Sequence, residues 1–278
     1  MKRLLVYILA IAGLISCDLE KELAFDPVYD GGKIIIHGFI SPNEGARVLI
    51  RKSVPVNRAT EDDIIPGAQV LLYGDDEFKF SLNEVEPGYF ISPPDSLLSE
   101  GVAYMLRVVT EELGVAESNI QYILPEVILD SIVYVKNIPP AQAGRLKYYL
   151  NDPERIVNNY TISYREFSHD ILIGSYPYSQ EFIMPYFNDN EFNGRLYIRD
   201  INYYTPFDYD TVRVIGRLYN ISAEYMKFLE SLDDYQYTWG DPFFDHTTPV
   251  YSNIKNGYGI FGSYTYSEKS VTYIKTIK

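Results

Sequence analysis

The chain has 278 residues and carries 24 basic and 38 acidic side chains, a formal net charge of −14. This balance argues against nucleic acid as a partner, because phosphate binding requires clustered Lys and Arg. With Cys17 as its one cysteine, the chain cannot form an internal disulfide, so packing and hydrogen bonds must stabilise the fold. The 27 Tyr and 14 Phe favour a β-rich protein, and Tyr is also a common contact residue in binding surfaces.

The first residues have the layout of a secretory signal peptide. Lys2 and Arg3 precede twelve apolar or small residues, Leu4 to Ile15. A helix of that length rises about 18 Å, whereas the hydrocarbon core of a bilayer is roughly 30 Å thick. We therefore predict that residues 1–16 are a signal peptide that is removed.

The end of this segment, Leu14-Ile15-Ser16-Cys17, resembles the bacterial lipobox. In that class of signal the cysteine thiol receives diacylglycerol, cleavage falls before the cysteine, and the new amino group is acylated, commonly with palmitate. The alternative is a buried free cysteine near the end of an uncleaved anchor. We predict lipid attachment at Cys17, since several acyl chains anchor a protein stably to a membrane.

An acidic stretch, DLEKE (18–22), follows the cysteine directly. It resembles the surface-export signals of lipoproteins in Bacteroidota, and the other interpretation is a solvated tether with no export role. We predict that residues 17–32 form a tether and that the protein faces the cell exterior.

Residues 33–121 consist of short segments in which apolar and polar residues alternate, separated by Gly, Pro or Asp breaks. KIIIHGFI (33–40) and ARVLIRKSV (46–54) flank the turn SPNEG and predict a hairpin-like pair. Further segments of this kind lie at 67–76, 77–84, 88–92 and 102–118. About seven strands at this spacing predict an immunoglobulin-like β-sandwich.

Residues 122–278 are predicted to form a second, β-rich domain, which makes the whole protein all-β with one amphipathic helix. The boundary lies in YILPEVILDSIVYV (122–135), where Pro125 interrupts two apolar runs. Strands are predicted at 145–152, 158–167 and 210–220 and on both sides of NDNEFNG (188–194). The C-terminal segment GYGIFGSYTYSEKSVTYIKTI predicts a closing hairpin with its break at Ser267-Glu268-Lys269.

The helix is predicted to begin after Ser222, whose hydroxyl can cap the free amides of the first turn. Ile221 and Met226 can form a hydrophobic staple around that cap. An apolar stripe at helical spacing predicts that the helix packs onto the second sheet; its members are Tyr225, Phe228, Leu229 and Leu232.

The sequence contains no recognisable catalytic constellation. His37, His169 and His246 are far apart, and there is no H-E-x-x-H motif and no G-x-S-x-G elbow. We therefore predict that the protein is not an enzyme and carries no cofactor apart from the covalent lipid at Cys17.

One segment, DNEFNGRLYIRD (189–200), has the spacing of an EF-type calcium loop. Asp189, Glu191, Asn193 and Asp200 take ligand positions 1, 3, 5 and 12 of such a loop. The competing interpretation is a type I′ turn at Asn193-Gly194 that joins two strands and needs no ion. Predicted flanking strands, in place of helices, favour the turn.

A loop rich in aromatic and acidic residues, DDYQYTWGDPFFDH (233–246), follows the helix. Tyr237, Trp239, Phe243 and Phe244 are candidates for contact with a ligand or partner, since exposed aromatic residues dominate many binding surfaces. The alternative is that Trp239 and Phe243 plug the end of a sandwich.

Segments throughout the chain resemble the bacterial lipoprotein family known as domain of unknown function 4249. They include KIIIHGFISPNEG and GAQVLLYGDD in the first half and LPEVILDSIVY at the predicted boundary. In the second half the similar features are Asp241-Pro242-Phe243, Ser252-Asn253-Ile254 and the glycines from Gly257 to Gly262. The resemblance implies an outer-membrane lipoprotein of Bacteroidota with two β-rich domains.

The resemblance also implies a partner, because members of the family are often encoded beside TonB-dependent outer-membrane transporters. The leading hypothesis is a surface-exposed lipoprotein that serves such a transporter as an accessory or ligand-capturing subunit. The alternative is a structural or adhesive envelope lipoprotein without a transport ligand.

Overall fold

The computed structural model describes residues 29, 31–55, 63–135, 144–154, 156–176, 185–203, 210–238 and 249–274. Gly32–Ser53 and Asp62–Lys278 form one compact unit, and a second unit, Met1–Gly31 with Val54–Glu61, falls almost entirely outside the described residues. Strands make up most of the secondary structure, which confirms the all-β prediction.

Within the described residues, eight strands precede residue 120. They are β1 (Ile34–Ser41), β2 (Gly45–Lys52), β3 (Gln69–Gly74), β4 (Glu77–Ser81), β5 (Asn83–Glu86), β6 (Tyr89–Ile91), β7 (Tyr104–Thr110) and β8 (Gly114–Ser118). Every strand predicted in this part of the chain is confirmed, and β5 is an addition.

The later part of the described chain contains further strands and one helix, α1 (Ala223–Thr238). The strands are β9 (Leu129–Val135), β10 (Gly144–Asn151), β11 (Asn159–Ser168), β12 (Ile171–Tyr176), β13 (Tyr186–Asn188), β14 (Leu196–Tyr203), β15 (Thr211–Ile221), β16 (Ile254–Lys255) and β17 (Gly257–Ile274). β12 was not predicted, because it follows a tight turn at His169 and Asp170, two residues with positive φ where Gly or Asn is usual.

These strands form three sheets. A nine-stranded sheet has the order β12-β11-β15-β17-β1-β2-β6-β5, with β13 also paired to β11. A five-stranded sheet has the order β16-β8-β7-β3-β4, and a three-stranded sheet the order β14-β10-β9. In the nine-stranded sheet β1 pairs with β17 in parallel, from Ile34 opposite Gly257 to Ile40 opposite Ser263.

The first hydrophobic core lies between the five-stranded sheet and one half of the nine-stranded sheet. On β1, the alternate residues Ile34, Ile36 and Ile40 are fully buried in it. The facing strands β3 and β7 contribute Val70, Leu72, Tyr104, Leu106 and Val108. Ile254 on β16 and Phe261 on β17 join the same core. Strands from the far end of the chain therefore complete the sandwich that the N-terminal strands begin.

The second core lies between the three-stranded sheet and the other half of the nine-stranded sheet. Its members include Leu129, Ile132, Leu146, Tyr148 and Leu150 on one side and Tyr160, Ile162, Val212, Val214 and Leu218 on the other. The chain passes from one core to the other near Pro125, since Ile123 belongs to the first and Val127 to the second.

The hairpin predicted at the C terminus is wrong, because β17 continues through Ser267-Glu268-Lys269 as one strand. Its first part pairs with β1 and its second part with β15. The Ser267 hydroxyl donates to the Val127 carbonyl at 2.8 Å and accepts from the Leu129 amide at 2.7 Å. Its hydrogen bonds are therefore made within the sheet, without a turn. Polar residues that resembled a break are thus ordinary members of a paired strand.

The predicted helix and its N-cap are confirmed. The Ser222 hydroxyl accepts a hydrogen bond from the Tyr225 amide at 3.4 Å, and Ile221 and Met226 are both buried. Tyr225, Phe228 and Leu229 form a small third core with Ile260. Because His37 and Phe39 on β1 contact Phe228 and Tyr225, the helix covers the face of β1 opposite the first core.

His37 makes the stability of the fold depend on pH. Burial lowers the pKa of its imidazole from 6.5 to about 4. The unfolded chain takes up this proton near pH 6.5 and the folded chain only near pH 4, so stability is lost as the pH falls through that window. The loss reaches roughly 3 kcal/mol at pH 4.

Urea denaturation at pH 7 and pH 4 measures this loss, and the variant His37→Gln should remove most of it. His169→Asn replaces an exposed histidine and serves as the control, which should keep the wild-type dependence. An unchanged difference between the two pH values in His37→Gln would contradict the assignment.

Candidate functional site

Most of the residues predicted to contact a lipid, ligand or partner lie outside the described residues. This holds for Cys17, Trp239, Phe243 and Phe244, while Tyr237 contributes its backbone to the last turn of α1. The lipid site and the aromatic loop therefore stay predictions. Two other candidate surfaces lie within the described residues, the turn around residue 190 and the exposed faces of the sheets.

The turn between β13 and β14 is compact and helix-like. The amides of Phe192 and Asn193 donate to the Asp189 carbonyl at 2.9 and 2.8 Å, and Gly194 has a φ of 72°. The hairpin interpretation of this segment is wrong, because β13 pairs with β11 in one sheet and β14 pairs with β10 in another. The turn instead carries the chain from one side of the second core to the other.

The four predicted calcium ligands have different surroundings. Asp189 is buried, whereas Glu191 and Asn193 are exposed. Asp200 lies on β14, about 13 Å along the strand from Leu196, and forms ion pairs of 3.4 Å with Arg145 and Lys147. In the part of the chain that the structure describes, no group of three or more His, Cys, Asp or Glu side chains is arranged to hold a metal ion.

Asp189 instead belongs to a buried polar cluster, here called the Asn158 cluster. Its members are Asp152, Asn158, Tyr160, Asp189 and Asn220, and none is more than 6% exposed. They come from the end of β10, the start of β11, the turn after β13 and the end of β15. Short connections at one end of the second core bring these segments together.

Asp152 is the best satisfied member of the Asn158 cluster. One carboxylate oxygen accepts from the Tyr160 hydroxyl at 2.5 Å, and the other accepts from the Gly194 amide at 2.9 Å. Burial raises the pKa of the Tyr160 hydroxyl, and its hydrogen bond to Asp152 raises it further. Tyr160 therefore remains a proton donor to Asp152 at any physiological pH.

Asn158 connects the other members. Its amide nitrogen on the main chain donates to Oδ2 of Asp189 at 2.8 Å, and its side-chain Oδ1 accepts from Nδ2 of Asn220 at 3.0 Å. The Asn220 side chain also donates to the Pro125 carbonyl at 3.0 Å. Two oxygens of the cluster, Oδ1 of Asp189 and Oδ1 of Asn220, are buried without a hydrogen-bond donor.

A second candidate surface is the outer face of β11, β15 and β17, here called the arginine–tyrosine face. It consists of Arg165, Phe167, Arg213, Arg217, Tyr219, Tyr264, Tyr266 and Glu268. The guanidinium carbon of Arg217 lies 4.2 Å from the ring centroid of Tyr266, and Arg165 and Arg213 lie 5.9 and 5.4 Å from that of Phe167. A stacked guanidinium keeps its edge N–H groups free to bind carboxylate, sulfate or hydroxyl groups.

Glu44, in the turn between β1 and β2, makes polar contacts with two residues at one end of the arginine–tyrosine face. It lies 3.2 Å from Nη1 of Arg217 and accepts from the Tyr264 hydroxyl at 2.7 Å. Burial and the Glu44 charge raise the pKa of Tyr264. Arg217 also pairs with Glu268 at 2.7 Å, so its charge is already neutralised. Arg165 and Arg213 are each more than 40% exposed, and their own ion pairs, Arg165 with Glu268 at 3.9 Å and Arg213 with the exposed Asp170 at 2.9 Å, lie at the surface, where a ligand could compete for the arginines.

Comparison with known proteins places the chain in a family. Residues 20–270 match the family described as Domain of unknown function (DUF4249). The chain belongs to the DUF4249 family. A search of curated proteins found no match. Among the described residues of this DUF4249 protein, no helix is both long enough and apolar enough to cross a membrane.

One segment by which the sequence resembles DUF4249 proteins has a structural role in this chain. The Asn253 side chain donates to the Phe261 carbonyl at 2.8 Å and accepts from the Phe261 amide at 2.9 Å. It thereby fixes β16 against β17 at the point where both enter the first core. Ser252-Asn253-Ile254 and the following glycines thus help to complete the first core of this chain.

Proposed function

We propose that this protein is an outer-membrane lipoprotein, anchored through lipid at Cys17 and facing the cell exterior, without enzymatic activity. In this proposal it serves a TonB-dependent transporter as an accessory or ligand-capturing subunit. The observation that carries the proposal is the sequence from Lys2 to Cys17, a basic start and a short apolar run that ends in a lipobox-like cysteine. A lipid tether keeps the protein at high local concentration, so a weak interface with a membrane partner can still be occupied.

We assign ligand or partner contact to the arginine–tyrosine face, together with the predicted aromatic loop that contains Trp239. The assignment is supported by the partly exposed guanidinium groups of Arg165 and Arg213, which both lie within 6 Å of the Phe167 ring centroid. In a chain of net charge −14, this face offers cations and aromatic rings side by side. Carboxylated or sulfated sugars and acidic peptides match both features.

The proposal extends to the architecture. Residues 33–121 would form an immunoglobulin-like sandwich whose core is completed by β16 and β17, and residues 122–278 would otherwise form a second, β-rich domain. Support comes from the two facing sheets around the first core and from the passage of the chain between cores near Pro125.

Membrane fractionation tests the lipid anchor, and co-purification in mild detergent tests the association with a transporter. We expect the wild-type protein to fractionate with the outer membrane and to co-purify with a TonB-dependent transporter. Cys17→Ala should lose membrane association, because no other side chain can form the thioether. Ser16→Ala keeps a small residue before the cysteine and is the matched control, which should behave as the wild type.

Charge reversal separates the role of the arginine–tyrosine face in partner binding from the role of the lipid anchor in membrane association. The double variant Arg165→Glu/Arg213→Glu should stay in the membrane and lose the partner, whereas Arg145→Glu, an exposed arginine on β10, should retain it. A wild-type protein that purifies without a transporter but binds envelope polymers would instead support the structural or adhesive alternative. A Cys17→Ala protein that still fractionates with membranes would exclude the lipid anchor.

A further inference from the structure

The Asn158 cluster contains two buried carboxylates and lacks a visible source of positive charge. Asp152 and Asp189 are 6% and 1% exposed, and no Lys, Arg or His among the described residues forms an ion pair with either one. Removing a carboxylate from water is unfavourable unless a counter-charge or several hydrogen bonds replace the lost hydration. Asp152 has such hydrogen bonds, whereas Asp189 has one, from the Asn158 amide.

A second, independent observation comes from a neutral side chain. In the described part of the chain, four buried side-chain atoms lack a hydrogen-bond partner, and the two oxygens among them are Oδ1 of Asp189 and Oδ1 of Asn220. Both side chains are held in the cluster by their other polar atoms, which bond to Asn158. Native proteins rarely leave buried acceptors without a partner, so two in one cluster indicate a bound group, either a water molecule or a cation, and the two buried carboxylates beside them favour the cation.

We propose that the Asn158 cluster is a binding site for a divalent cation, with calcium as the ion that fits best. The oxygens without a hydrogen-bond donor are Oδ1 of Asp189 and Oδ1 of Asn220, and the oxygens of Asp152 and Asn158, which already accept hydrogen bonds, have further lone pairs. Hard cations prefer such a set, and calcium accepts irregular shells that magnesium does not. With two carboxylates in place of three or four, we expect a dissociation constant on the order of 10⁻⁴–10⁻³ M.

The proposed ligand set differs from the EF-type spacing in the sequence. Asp189 is common to both, but the second carboxylate is Asp152, which precedes it in the chain, and not Asp200. The ion would join the end of β10, the turn after β13 and the end of β15. Its removal should therefore loosen one end of the second core while leaving the arginine–tyrosine face in place.

Equilibrium dialysis of the full-length protein in detergent, with calcium measured by mass spectrometry, is the direct test. After treatment with EDTA, the wild-type protein should bind about one calcium ion per chain. Its melting temperature should rise by roughly 3–6 °C at a calcium concentration of about ten times the dissociation constant. This measurement needs no variant, so it does not depend on whether any substitution folds.

Matched substitutions then locate the ion. Asp189→Asn should abolish calcium binding and, in EDTA, melt at a temperature equal to or above that of the wild type, because it removes a buried charge and keeps the side-chain shape. Asp200→Asn, on an exposed carboxylate of the sequence-based set, should bind calcium as the wild type does. Arg155→Gln tests the nearest basic residue in sequence, whose placement lies outside the described residues, and should also leave calcium binding unchanged.

Several results would overturn the proposal. One is a wild-type protein that binds neither calcium nor magnesium at 10 mM, an order of magnitude above the weakest affinity expected for such sites. Another is a loss of binding in Asp200→Asn while Asp189→Asn still binds. A third is an Asp189→Asn protein that melts lower by the same amount in calcium and in EDTA, because that pattern marks a role in the fold without an ion.

Discussion

A fragment of residues 33–121, expressed alone, is expected to be unfolded or aggregated. The fragment lacks β16 and β17, so β1 loses its parallel partner from Ile34 to Ile40 and exposes an unpaired edge. Ile254 and Phe261 also leave the first core, and burial of each contributes roughly 1.5–3 kcal/mol. Together with the lost strand pairing, this loss is comparable with the whole stability of an ordinary domain, about 5–15 kcal/mol.

Circular dichroism and thermal melting of the isolated fragment check this expectation. Co-expression with residues 122–278, which contain β16 and β17, should restore a soluble, cooperatively melting complex. A fragment that melts cooperatively without its partner would show that residues 33–121 fold as an independent domain, as the sequence-based division predicts.

Replacement of Gly259 by alanine should cause a large loss of stability. Gly259 has a φ of 108°, and a Cβ atom there would lie 2.0 Å from the Ile36 carbonyl oxygen. The obstacle is backbone of the paired strand, so no side-chain rotation relieves it. Strained backbone alone costs about 1–3 kcal/mol, and the clash brings the expected loss to roughly 3–5 kcal/mol.

The matched control is Gly67→Ala. Gly67 also has a positive φ, 67°, but a Cβ atom there would meet nothing within 4 Å. It should therefore lose about 1–2 kcal/mol, the cost of a left-handed residue without a clash. Urea denaturation midpoints compare the two variants. If both variants lose the same unfolding free energy, the close approach of β17 to β1 adds nothing to the cost of a side chain at position 259.

Alternating sequence patterns predicted individual strands better than they predicted strand partners. β1 and β15 alternate buried and half-buried residues along almost their whole length, so both were evident from the sequence. β17 was mistaken for a hairpin because Ser267-Glu268-Lys269 has the composition of a turn. Its continuity is determined by pairing with β15 and β1, and such long-range pairing leaves no local signal.

Sequence spacing identified one member of the Asn158 cluster and missed the rest. Asp189 was found because it begins a motif with regular spacing. Asp152, Asn158 and Asn220 lie on separate segments and meet only through the arrangement of the sheets. The Asp and Asn residues before and after strands resembled ordinary turn residues, and only their burial sets them apart.

The arginine–tyrosine face was also predictable only in part. Arg213, Arg217 and Tyr219 alternate along β15, which indicates that they share one face of a strand. The aromatic rings that stack on these arginines come from β11 and β17, whose position beside β15 depends on topology.

The parallel pair formed by β1 and β17 has a consequence for how the polypeptide matures. Ile34 and its partner Gly257 are about 220 residues apart in the chain, so the pairing has a very high contact order. Loop closure over such a distance makes folding slow. During synthesis the apolar first strand emerges early and has no partner on this side until nearly the last strand is made, and in that interval its unpaired edge is open to aggregation.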